Sequence, residues 1–420
     1  MGKYVATPIS PERRRFLAAA AAGAAACALP GCAALEQKAR GPRVVIVGGG
    51  WGGAGVARAL LAQTTPFDLT LVEPNAAFMS CPLSGHYIVG HAPAENFQRS
   101  YEGLARAGVR IVRESVHEID RARRTVRAGA REIAYDFLVL SPGVEYMEEA
   151  LPGYAEARET LPVGFRAFEQ AAVRRRFDAY LETGGNLVLT VPRPPYRCPP
   201  APYERAALMA EVLGRRGVKG KVIVLDANPA PVPAPIAAPI LEAYRELHRG
   251  VLEYEPNVEL RGVDGVRRVL HTSIGDIPYA MANPILPMRA PALLRKAGLG
   301  ERWANVRLPH FVSAADENVY VIGDAAGVPY PKSGHLAFET GAIVARHIAA
   351  RVGSAAAPSS APNAICWAYM GERRAIGIHV FGQWAGDAPK MQFKVDPTPT
   401  TAAADSAVQW GRAIWDQMFG

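Results

Sequence analysis

The feature that most constrains this chain is Gly48-x-Gly50-x-x-Gly53, set between an apolar β-branched run and a helical stretch. Arg43-Val-Val-Ile-Val47 reads as a strand buried on both faces, and Ala54 to Gln63 as the helix after the glycines. A second apolar strand, Asp68-Leu-Thr-Leu-Val72, ends in Glu73. Glycines between strand and helix, with an acid closing the next strand, form the local pattern of a dinucleotide-binding βαβ unit. Gly48 permits the tight turn, Gly50 lets the backbone approach a pyrophosphate, and Gly53 lets helix and strand come close. The helix N-terminus stabilises phosphate charge, and Glu73 can accept hydrogen bonds from an adenosine ribose.

Two distant segments favour FAD over NAD. Tyr135-Asp-Phe-Leu-Val-Leu-Ser-Pro-Gly143 resembles the strand and turn of flavoproteins built from two dinucleotide-binding domains. Val321-Ile-Gly-Asp-Ala325 resembles their second FAD motif, in which Asp324 would bind the ribityl chain. Pro331-Lys-Ser-Gly334 then opens a helix, Leu336 to Arg351. Its N-terminal amides at Ser333 and Gly334, with Lys332, could stabilise negative charge on a reduced flavin ring.

A second βαβ unit runs from Asn186-Leu-Val-Leu-Thr-Val191, through a helix from about Tyr203 to Arg216, to Lys221-Val-Ile-Val-Leu-Asp226. Where a nicotinamide site needs glycines, it has Pro192-Arg-Pro-Pro-Tyr-Arg-Cys-Pro-Pro-Ala-Pro202. Proline offers no backbone N–H, so this domain is expected to keep the fold without NAD and to present Cys198 instead. Asn228 to Pro239 reads as a loop, and Gly353 to Ala361 as a linker. The expected plan is α/β: two Rossmann-like, glutathione-reductase-like domains and a C-terminal α+β domain. Residues 40–152 and 289–352 would make the FAD domain, 153–288 the second Rossmann-like domain, and 356–420 the C-terminal domain.

The chain has 420 residues and a formal net charge of +8, of which Arg13, Arg14 and Arg15 supply three in one N-terminal cluster. The body has neither a Lys/Arg run nor aromatic-basic interleaving, which argues against nucleic acid. Residues 1–35 read as a signal segment: Arg13-Arg-Arg-Phe-Leu17 before an Ala/Gly-rich run resembles a Tat leader and predicts a periplasmic protein. Leu29-Pro-Gly-Cys32 also resembles a lipobox, which would make Cys32 a lipid anchor. No later segment reaches the roughly 18 apolar residues of a transmembrane helix.

Five cysteines occur: Cys27 and Cys32 in the leader, then Cys81, Cys198 and Cys366. A mature exported chain would carry three, which suggests one disulfide and one cysteine with another task. With neither CxxCH nor CxxC, no haem and no metal site is expected.

Tyr196-Arg-Cys-Pro-Pro-Ala-Pro-Tyr-Glu-Arg205, Met79-Ser-Cys-Pro-Leu-Ser84, Pro331-Lys-Ser-Gly334 and the Trp-containing helix ending Met418-Phe-Gly420 carry a family resemblance. From about Arg43 onward the chain resembles the flavoprotein subunit of flavocytochrome c sulfide dehydrogenase and the related Sox-type flavoproteins. The resemblance implies an 8α-thioether between FAD and Cys81, and a redox disulfide between Cys198 and Cys366. It further implies that hydrosulfide attacks this disulfide, and that electrons pass through FAD to a c-type cytochrome. Glu204, six positions after Cys198, would act as a base or tune the thiolate, with a first-turn helix carboxylate as the plain alternative. His335 and Gly85-His86 depart from the family pattern and read as packing or hydrogen-bonding residues. Rival functions are a sulfide:quinone oxidoreductase, an NAD(P)H-dependent disulfide reductase, and a non-catalytic Sox-associated flavoprotein.

Overall fold

β1 (Arg43–Val47), α1 (Trp51–Leu61) and β2 (Asp68–Val72) form the first βαβ unit of the computed structural model. The structure describes residues 41–353, 361–385 and 388–420. The leader expectations, with Cys27 and Cys32, lie outside the described residues, as does most of the expected linker. The helix begins at Trp51 rather than Ala54, because Gly50 in extended backbone is the N-cap and the next two glycines are already helical. β3 (Arg110–Val112) and β4 (Phe137–Leu140) follow. Between them, residues 116–134 make an antiparallel three-stranded meander.

After α2 (Gln170–Thr183), the chain builds a second unit from β5 (Gly185–Val191), α3 (Ala201–Arg216) and β6 (Gly220–Asp226). The segment expected to be a loop up to Pro239 instead enters α4 (Ala237–Leu247) at Ala237. Proline within a first helical turn loses no hydrogen bond, so Pro239 does not oppose it. β7 (Leu252–Pro256) and β8 (Met281–Pro284) complete a four-stranded sheet in the order β7-β6-β5-β8, with every pairing parallel.

β9 (Asp316–Val321) then returns to the first sheet beside β4, giving the parallel order β9-β4-β1-β2-β3. Two short antiparallel strands, Val306–Arg307 and Val312–Ser313, close its edge. α5 (Gly334–Arg351) lies against α1. Both central sheets have continuous buried runs, as strands covered on two faces require. The chain ends in antiparallel β10 (Ala364–Gly371), β11 (Arg374–Ala385) and β12 (Ala388–Val395), then α6 (Thr401–Phe419). Thr400 caps α6 by accepting the Ala403 N–H. Residues 41–420 form one compact unit. No described helix is long and apolar enough to cross a membrane.

Candidate active site

The three glycines of the first turn are used differently. Gly48 has φ +96°, and a Cβ there would lie 2.3 Å from the Ser141 carbonyl oxygen. A Cβ at Gly53 would lie 1.8 Å from the Gly48 oxygen, so only glycine lets α1 approach the turn. At Gly50 nothing lies within 4 Å of the Cβ position, which leaves its face open to an incoming group. Glu73 is buried at the end of β2. Its Oε2 accepts the Gly49 N–H at 2.7 Å, and its Oε1 accepts the Asn75 backbone and side-chain N–H groups. An open glycine face at a helix N-terminus beside a buried carboxylate fits the adenosine-diphosphate part of FAD.

The second half of this cradle comes from β9 and α5. Asp324 lies in a 3₁₀ turn just after β9, buried, with Oδ2 3.1 Å from Arg197 Nε. Lys332 is turned inward. Its Nζ donates to the Asp324 and Ala326 carbonyls and lies 3.6 Å over the Trp303 ring. Burial lowers its pKa to about 8. Lys332 therefore organises the Asp324 turn, while Ser333 and Gly334 occupy the start of α5. Gly334 leaves room for Trp51, which a Cβ would meet at 2.9 Å. The Tyr330 hydroxyl is buried without a partner among the described residues, and Tyr330 lines one cavity with Asp324, Lys332 and Ser333. Such an orphaned hydroxyl fits a polar cofactor bound along this wall.

Three thiols from three segments lie near one another beyond that wall, and all three are free, so the structure shows the dithiol state and not the expected Cys198–Cys366 disulfide. Cys81 follows the short strand Ala77–Met79. Its thiol contacts the Phe165 oxygen at 3.6 Å and accepts from Gln170 Nε2 at 3.3 Å. The Gln170 Oε1 is buried and unpartnered. Burial pushes the Cys81 thiol pKa up, Arg197 opposes this, and Asp324 adds to it.

Cys198 sits in the proline loop with φ +52°, a left-handed conformation that is costly for a side chain with a Cβ. The loop is pinned: the Cys198 N–H donates to the Lys332 oxygen at 2.7 Å, and Arg197 bridges Lys332 in parallel register. The Tyr196 hydroxyl donates to the Pro199 oxygen at 3.1 Å. Burial raises the Cys198 pKa well above the ordinary thiol value, with Cys366, Glu204 and Cys81 adding to the effect. Cys366 lies on β10 opposite Ile378, its sulfur 3.4 Å from Ser333 Oγ. Its pKa is raised by burial, and the Ser333 hydrogen bond lowers it.

Glu204 stands in the first turn of α3. Its Oε2 accepts the Tyr369 N–H at 3.1 Å, which joins α3 to β10. A Cβ at Gly85 would lie 2.7 Å from Glu204 Oε1, so that glycine makes room for the carboxylate. Burial raises the Glu204 pKa to about 7, against the lowering effects of the Tyr369 amide and Arg205.

The structure thus brings Cys81, Cys198, Cys366, Glu204, Asp324 and Ser333 into one neighbourhood, while the Asp324 and Ala326 carbonyls hold the Lys332 ammonium. His335 and His86 do act as hydrogen-bonding residues: His335 Nδ1 accepts the Ile365 N–H at 3.0 Å, and His86 Nε2 lies 3.0 Å from the Glu372 oxygen. Sequence reasoning missed Arg197 and Arg205, although both lie in the Tyr196–Arg205 segment. Arg197 ties Asp324 to the Phe165 oxygen. Arg205 is buried and donates to the Val163 and Gly164 oxygens and to Asn283 Oδ1. Gln170 and Phe165 had no local signal, since only the tertiary fold carries them to Cys81.

These features define a flavin-binding oxidoreductase with two Rossmann-like domains and a thiol centre. Residues 42–174 match the family model described as pyridine nucleotide-disulphide oxidoreductase. Residues 171–287 match the one described as sulfide dehydrogenase [flavocytochrome c] flavoprotein chain, central. The sulfide dehydrogenase [flavocytochrome c] flavoprotein chain of Chlorobaculum thiosulfatiphilum is 52% identical over 42 residues, 10% of this chain and 88% of that one. The mitochondrial sulfide:quinone oxidoreductase of Mus musculus is 22% identical over 304 residues, 69% of this chain and 67% of that one. The solved sulfide:quinone oxidoreductase of Aquifex aeolicus shares the fold, with a TM-score of 0.75 at 18% identity over 90% of this chain and 91% of that one. The chain belongs to the sulfide-oxidising flavoproteins of the flavocytochrome c sulfide dehydrogenase family, within the pyridine nucleotide-disulphide oxidoreductases.

Proposed function

We propose that this protein oxidises hydrosulfide at a Cys198–Cys366 disulfide and passes the electrons, through FAD joined to Cys81, to a c-type cytochrome outside the cytoplasm. The observation that carries the proposal is the meeting of three thiols from distant segments beside Asp324 and the start of α5. Hydrosulfide attacks Cys198, a persulfide forms there, and Cys366 leaves as the thiolate. This direction is favoured because Ser333 Oγ lies against the Cys366 sulfur and lowers its pKa. Glu204 takes up or holds the proton released nearby. Gly48, Gly50, Gly53 and Glu73 hold the adenosine-diphosphate end of the cofactor, while Asp324 and the Ser333–Gly334 amides hold its other half. When bound, FAD supplies a two-electron acceptor that can release electrons singly.

A cytochrome fits better than a membrane quinone because α6 turns its apolar side chains inward. Ile414, Trp415, Met418 and Phe419 are buried, and among the described residues of α6 the one large apolar side chain that is exposed is Val408. Reduction of cytochrome c and of a soluble quinone analogue, measured side by side with sulfide, separates the two; faster quinone reduction would reverse the assignment. Acid precipitation tests the linkage. Flavin should stay with the pelleted wild-type protein and leave with the supernatant in Cys81→Ala. Flavin released from the wild type would refute the thioether. A flavoprotein that sulfide does not bleach would instead be a non-catalytic Sox partner.

A further inference from the structure

The second Rossmann-like domain keeps a crevice that the reaction above does not use. In open parallel sheets, ligands bind beyond the carboxyl ends of the strands. Here a cavity of about 360 Å³ opens at the ends of β5, β6 and β8, against Thr190, Ala227 and Ile285.

It is no longer a dinucleotide site. Asp226, the acid ending β6, is fully buried and satisfied by the Tyr203 and Tyr254 hydroxyls and by Asn228. It therefore cannot receive a ribose. Pro192 and Pro194 border the cavity where amides would cradle phosphate. The Arg193–Glu259 ion pair, 2.8 Å, spans the same rim.

What remains has its own chemistry. Met147, Leu151 and Leu286 give an apolar wall. Arg193 and Glu259 cancel, so Arg302 is the net charge of the lining. Its Nε donates to the Met288 oxygen at 3.3 Å, and its terminal nitrogens have no hydrogen-bond partner among the described residues. In the cavity wall the Thr190 hydroxyl, on a side chain 3% exposed, is also without a partner. Buried hydroxyls are rarely left so. The volume lies at the small end of the usual range for ligand sites, ~300–1,000 Å³.

We propose that this crevice binds a compact organic monoanion, a carboxylate or sulfonate with an apolar body. The anionic group pairs with Arg302, and the body lies on Met147, Leu151 and Leu286. An occupant would rest on the segment that leads from Thr190 to Cys198. The site is independent of the sulfide reaction and of the electron acceptor.

The test uses 8-anilinonaphthalene-1-sulfonate, a fluorescent apolar sulfonate, titrated into the purified flavin-loaded protein. The expected result is one saturable site per chain. Arg302→Gln should weaken it about fivefold, the size of one exposed charge pair. Ala227→Met, which adds volume to the cavity lining, should abolish it. Circular dichroism and thermal melting identify which variants are folded; any one folded variant suffices. Unchanged binding in folded Ala227→Met would overturn the proposal, as would displacement of the probe by stoichiometric NADH.

Discussion

At the level of single residues, the site is governed by how burial sets charge. The Glu204 pKa lies near 7, above the ordinary 4.5. Between these values the unfolded chain loses its proton first, so this residue lowers stability as pH rises through that window. Glu204→Gln should flatten stability across pH 4.5–7 in denaturant titrations. In turnover the same carboxylate becomes a base only as pH approaches 7. Hydrogen sulfide ionises to hydrosulfide in a similar range, so the informative quantity is the kcat/KM ratio of wild type to Glu204→Gln. That ratio should rise across pH 6–8, and a constant ratio would mean that Glu204 merely braces Tyr369.

The same residues show what was legible beforehand. Glycine chemistry is local, so Gly48 and Gly53 could be assigned from spacing and are constrained as expected. Glu204 could be singled out but not decided, because its pKa depends on Gly85, Tyr369 and Arg205 from distant chain. Lys332 stands out in the sequence as a cation beside the start of a helix, but the carbonyls that hold its ammonium are announced by no linear motif.

At the level of elements, two contacts set the stability of the frame. α6 closes over the first dinucleotide unit, and its last carbonyls run directly over Gly103. A Cβ there would lie 1.7 Å from the Phe419 oxygen. Gly103→Ala should cost about 1–3 kcal/mol through overpacking, read as a lower thermal midpoint. On the opposite end of the frame, His347 of α5 stacks on His310 at 4.0 Å and receives the Tyr320 hydroxyl at 3.0 Å. Burial, His310 and Arg351 lower its pKa to about 4, below the ordinary 6.5. Stability is then complete above pH 6.5 and declines as pH falls toward 4. His347→Phe should remove about 1–2 kcal/mol of the acid-dependent loss, seen as a shallower fall of the unfolding free energy from pH 7 to pH 4.

Element boundaries were read best where strands are apolar throughout. Asp68–Val72 and Phe137–Leu140 matched, since a doubly covered strand must be a continuous apolar run. Helices start earlier than the sequence suggests, at Trp51 for Ala54 and at Ala201 for Tyr203, because glycine and proline are acceptable in a first turn.

At the level of the whole molecule, the chain leaves the first sheet after β4, builds the second unit, and returns as β9. The sequence carried the elements of this plan, but their adjacency followed from the resemblance. α6 also guards the cofactor side. Trp51 stacks on Trp410 at 5.5 Å, and Phe419 packs on Phe78 and Tyr101, whose hydroxyl donates to Gly49. A chain ending at Thr400 should incorporate less flavin, measured as the flavin-to-protein absorbance ratio after gel filtration.

The three thiols emerge from the ribosome in the order Cys81, Cys198, Cys366. Until β10 is made, the body of the chain holds two cysteines and lacks the third. Before Cys366 is made, a growing chain cannot form the proposed Cys198–Cys366 disulfide, and the one crosslink open to its body is between Cys81 and Cys198. Capping Cys81 with the cofactor would close that route and leave Cys198 a single correct partner. Cofactor attachment at Cys81 would then also act as a safeguard on oxidative folding.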